Sequence, residues 1–65
     1  MMAIKPGMFL KYKYSPDDEA VVMVKYIIEK TEDKVVFVGK WSGYDTHEQQ
    51  VVITKENENS WEETK

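Results

Sequence analysis

No cysteine occurs among the 65 residues, so disulfides, thiolate zinc sites and thiol chemistry are all excluded. The fold must hold by packing alone. Arginine is missing as well: the nine basic residues are all lysine, and the rigid bidentate fork that arginine offers to phosphate and guanine is lost with it. That weighs against sequence-specific reading of DNA. No segment approaches the roughly 18 consecutive apolar residues of a membrane helix, and Met1 to Lys5 holds no apolar run long enough for a secretory signal. A cytoplasmic protein with no membrane partner is the expectation. An all-lysine basic set also fits an AT-rich coding sequence, as in low-GC bacteria and their phages.

What is present makes one domain, residues 1–65, because a chain this short buries only about 60% of the surface its unfolded form exposes. Most large apolar side chains are therefore committed to folding. The net charge is −3 and unevenly spread: residues 1–40 hold seven lysines against six acids, residues 41–65 two lysines against six acids. An acidic C-terminal third works against wrapping nucleic acid there. The ordered core is expected over about residues 5–54, followed by an acidic tail over 55–65 in which Trp61 packs back onto the domain or closes its open end.

Lys5-Pro6-Gly7 signals a turn, and Met8-Phe9-Leu10-Lys11-Tyr12-Lys13-Tyr14 alternates as a half-buried strand, with Met8, Leu10, Tyr12 and Tyr14 on one face. Ser15-Pro16 followed by Asp17, Asp18 and Glu19 is what a helix start wants. The run from Ala20 to Lys30, however, is rich in β-branched residues and apolar on every face. A helix apolar all round needs burial on all sides, which 65 residues cannot supply. A central strand covered on both faces is the better reading, with a helix over 16–29 in an α+β fold as its alternative. Thr31 to Lys34 reads as a hairpin loop, and Val35 to Trp41 as a returning strand interrupted at Gly39, where a bulge or sharp bend is expected. Ser42 to Thr46 is a turn, and His47 to Thr54 a weaker strand.

The fold class is thus all-β, a small single-domain barrel of four to five bent antiparallel strands. Lys5-Pro6-Gly7 with Tyr12, and the hairpin Val24 to Trp41, resemble the SH3-like barrels, including Tudor and KOW-type modules, over roughly residues 5–54. The resemblance implies a fold and carries no functional residue with it.

Several groups are candidates for a site. Trp41, Tyr44 and Asp45, around the Ser42-Gly43 turn, could enclose a cationic group between aromatic faces and a carboxylate, although a small core also needs its large side chains. Tyr12, Tyr14 and Tyr26 could form a stacking platform for single-stranded nucleic acid bordered by Lys11, Lys13 and Lys25, which with Lys40 make the candidate nucleic-acid surface. His47 lies near Asp45 and Glu48, but one histidine makes no catalytic constellation. Asp17, Asp18 and Glu19 lack the spaced ligands and glycine of a calcium loop. No metal, cofactor or catalytic residue is expected. The expected function is a non-catalytic binding module acting on a protein partner, of the kind a small phage or bacterial regulator uses, with homodimerisation by edge-strand pairing a further possibility. Nucleic-acid binding through the lysine and tyrosine surface is the alternative.

Overall fold

A computed structural model describes residues 3–42 and 47–64. Five strands follow one another: β1 (Phe9–Lys13), β2 (Glu19–Lys30), β3 (Lys34–Trp41), β4 (Glu48–Thr54) and β5 (Trp61–Thr64). One 3-10 turn, η1 (Glu58–Ser60), precedes β5. All five lie in a single antiparallel sheet in the order β4-β3-β2-β1-β5.

The helix considered over 16–29 does not form; β2 is extended from Glu19 to Lys30. Its β-branched residues prefer the pleated surface, and its twelve residues serve two neighbours. Glu19–Met23 pairs with β1, while Val22–Lys30 pairs with β3. The β2–β3 register shifts twice, between Val24 and Tyr26 and again between Ile27 and Glu29, leaving Lys25 and Ile28 as extra residues on β2. Each extra residue reverses which positions face inward. Val24 and Ile27 therefore both pack inward although three residues apart, and Tyr26 is turned out to solvent. This explains an apolar run without a clean period of two.

Gly39 stands opposite Val24, and a methyl group there would lie 2.7 Å from the Met23 carbonyl oxygen and 2.7 Å from a Val22 methyl. The bend expected at Gly39 is thus divided between the strands: the extra residue is on β2, and the close approach it creates requires glycine on β3. At the N-terminus, Met8 N donates to Lys5 O across a turn with Pro6 second and Gly7 third at φ +90°, as type II turns favour. Gly7 N and Met8 O then both bond Val24, which ties the turn to the sheet.

The inner face carries Leu10, Val22, Val24, Val35, Phe37, Val51 and Ile53, joined by Ile4 from before β1 and by Trp61 from β5. The segment read as an acidic tail is structural, for η1 and β5 occupy Glu58–Thr64 and β5 pairs along β1 from Tyr12↔Trp61 to Phe9↔Thr64. The Glu56 carboxylate, between β4 and η1, accepts a bond from the Thr54 side chain, which holds it below the usual carboxylate range.

Candidate functional site

Four aromatic rings form a series at one end of the inner face. Tyr12 on β1 stands opposite Trp61 on β5, their ring centroids 4.8 Å apart and tilted by 44°. Trp61 also meets Trp41, at the end of β3, at 5.9 Å. On the other side Tyr12 stacks on Tyr14 at 6.3 Å and 21°. Such separations are those at which ring quadrupoles attract.

The ladder geometry explains the closest contact. Val24 N donates to Met8 O, so the even-numbered residues of β1 direct their backbone groups toward β2. Tyr12 is then a non-hydrogen-bonded partner of Trp61, the pairing in which side chains come closest. The series is graded in exposure. Trp61 is 8% exposed, Tyr12 and Trp41 are half-buried, and Tyr14 is 51% exposed. The indole Nε1 of Trp61 is buried with no hydrogen-bond acceptor among the described residues, which costs on the order of 1–3 kcal/mol.

Carboxylates border this strip. Tyr14 opens the turn that contains Asp17 and Asp18; Tyr14 N and Ser15 N both donate to Asp18 O, and Ser15 Oγ donates to the Asp18 carboxylate. Glu63, two residues beyond Trp61 on β5, is exposed and shares Trp61's side of the strand. Exposed aromatic faces beside carboxylates attract cations and repel anions.

Of the residues singled out from sequence, Trp41, Tyr12 and Tyr14 come together here. Tyr44 and Asp45 lie outside the described residues, and so does the pocket they were to form with Trp41. Trp61, read only as a packing residue, is the hub of the ring series. Its partner in sequence is 49 positions away, and only alternation within the short stretch Trp61-Glu62-Glu63-Thr64 could have signalled a strand. Tyr26 is on the outer face, opposite Val38, so the three-tyrosine platform does not assemble.

The four candidate lysines sit among glutamates. Lys11 Nζ is 3.7 Å from Glu19 and 4.0 Å from Glu62. Lys25 Nζ is 3.6 Å from Glu48, Lys13 stands opposite Glu19, and Lys40 stands opposite Glu48. A phosphate backbone approaching these lysines meets the interleaved carboxylates too. Among the described residues no three His, Asp or Glu side chains gather where they could hold a metal ion, and no helix is long and apolar enough to cross a membrane. Compared with protein-family models, curated proteins and solved structures, the chain matches none.

Proposed function

We propose that this chain is a small non-catalytic binding module of the SH3-like barrel type, which grips an extended, cation-bearing segment of a protein partner along the strip Tyr14, Tyr12 and Trp41. The observation that carries the reading is the graded ring series. Its buried hub, Trp61, packs against both Trp41 and Tyr12, so little ordering entropy remains to be lost at the exposed rings when a ligand docks. Aromatic side chains with few rotatable bonds are favoured as contact residues for this reason, and the carboxylates beside Tyr14 and Trp61 suit lysine or arginine on the ligand. The barrel assignment is supported by the strand order, with β1 held between β2 and β5, and by the two register shifts that curl β2.

Panning a displayed random-peptide library on the wild-type chain and on Tyr14→Ala tests the reading. Enriched sequences are expected to carry lysine or arginine next to apolar residues, and to lose capture on Tyr14→Ala while acidic sequences are depleted. Enrichment indifferent to Tyr14→Ala and to peptide charge sinks the reading.

A further inference from the structure

We propose that β4 of this chain pairs antiparallel with β4 of a second copy, about a twofold axis at Gln50. This surface is separate from the aromatic strip. β4 ends the strand order, and among the described residues no strand pairs with its far side. Asn57 identifies which backbone groups face that side: its Oδ1 accepts from Thr54 N at 2.8 Å and its Nδ2 donates to Val52 O at 3.3 Å. Even-numbered residues of β4 therefore turn their backbone groups away from β3, since the direction alternates along an antiparallel ladder.

Asn57 thus imitates a neighbouring strand, but only over the C-terminal part of β4. No described residue bonds the Gln50 N–H and C=O, the Glu48 C=O or the Val52 N–H. The open window begins at Glu48, where the strand begins, and ends at Val52, whose carbonyl Asn57 already takes. Its midpoint is Gln50. A second copy fits a window symmetric about one residue: Gln50 of each chain exchanges both backbone bonds with Gln50 of the other, and Val52 N–H of each donates to Glu48 C=O of the other. This register pairs residues of like parity, so inner face continues into inner face. A longer foreign strand would run into Asn57, whereas β4 of a second copy begins at Glu48, opposite Val52 in this register.

Composition agrees with the geometry. Sheet edges usually resist association with charge, proline or shortness. β5, the opposite edge, has four residues and carries Glu62 and Glu63, whereas β4 has no proline and carries a single charge, Glu48 at its start, which is paired with Lys25 of its own sheet.

Sedimentation equilibrium and amide hydrogen exchange across a concentration series test the pairing. The average mass should rise from 7.7 kDa toward twice that value between about 10 μM and 1 mM, the range suited to a short, weak interface. Gln50 and Val52 amides should gain protection over the same range. Gln50→Pro removes one outward N–H and none that faces β3, a placement edge strands tolerate, and should leave the chain folded and monomeric throughout. Asn57→Ala uncovers the Val52 carbonyl and should shift the midpoint several-fold lower in concentration. Tyr14→Ala should associate like wild type. A wild-type chain still monomeric at about 1 mM, or a folded Gln50→Pro that associates normally, overturns the proposal. Should Gln50→Pro not fold, unchanged protection of the wild-type Gln50 and Val52 amides across the series overturns it equally.

Discussion

The β2–β3 hairpin and the β1–β5 strip are built on opposite principles. In the hairpin, strands joined by a short Thr31-centred turn bring Val22, Val24, Val35 and Phe37 into the centre of the core. Thr31 fastens that turn by bonding the Asp33 and Lys34 amides through its hydroxyl. In the strip, strands distant in sequence meet through tilted rings, and burial falls off from Trp61 to Tyr14. The contrast is one of grading: the hairpin side chains are sealed in the core together with Leu10 and Ile53, whereas the aromatic series runs from a buried tryptophan out to an exposed tyrosine.

The sharpest way to break this division is to empty the hairpin. Phe37 is fully buried, and Phe37→Ala should cost about 3–5 kcal/mol. At about 0.05–0.15 kcal/mol per residue, the whole 65-residue domain is worth only about 3–10 kcal/mol. The variant should lose about half of that stability, with its urea midpoint by circular dichroism falling far below wild type. A cooperative urea transition close to wild type would move the centre of stability elsewhere.

Gly39→Ala ranks next. Its methyl group would press on the Met23 carbonyl, a backbone atom held in the ladder, and on the Val22 side chain. Overpacking of this kind costs about 1–3 kcal/mol. Gly7→Ala provides the contrast, because nothing lies within 4 Å of its added methyl group and only the positive φ opposes it. If Gly39→Ala melts like wild type, the close crossing of β2 and β3 is not a constraint on the fold.

In the strip, Trp61→Phe keeps a ring against Tyr12 and deletes the unpaired indole N–H. Lost apolar area and the relieved donor act in opposite directions, so the net change should stay under about 1 kcal/mol by chemical denaturation. A loss as large as that for Phe37→Ala would mean that the strip carries the core as much as the hairpin does, and the contrast would collapse.

The hairpin was legible in the sequence because its signals are local: a polar gap between two β-branched runs, and a glycine where the strands bend. The faces of β2 were less so. Its two extra residues follow from how β3 crosses it, and nothing within Val24-Lys25-Tyr26 marks Lys25 as the residue to be skipped. The strip was the least legible part. Acidic neighbours give Trp61 the look of a tail residue, and only pairing with β1, set by the whole meander, converts Trp61–Thr64 into a strand. Tyr12, Tyr14 and Trp41 were found as types suited to binding, but their continuity depends on the tryptophan between them. The lysine surface was legible as a group of residues and misleading as a charge, since Glu19, Glu48 and Glu62 arrive from other strands.

The smallest expected effect on stability belongs to Tyr14, the most exposed ring of the series and the one the proposed function leans on most. Tyr14 is half exposed and stacks on Tyr12, so Tyr14→Ala should change the unfolding free energy by no more than about 0.5 kcal/mol, as surface substitutions do. The same variant should weaken binding of a basic selected peptide at least tenfold, measured by the fluorescence of Trp41 and Trp61, because it removes the most exposed of the four rings described. Tyr26→Ala is the matched control, equally exposed but on the outer face, and should leave that binding unchanged. Equal losses for the two variants would show that exposed tyrosine area, and not the ring series, is what a ligand reads.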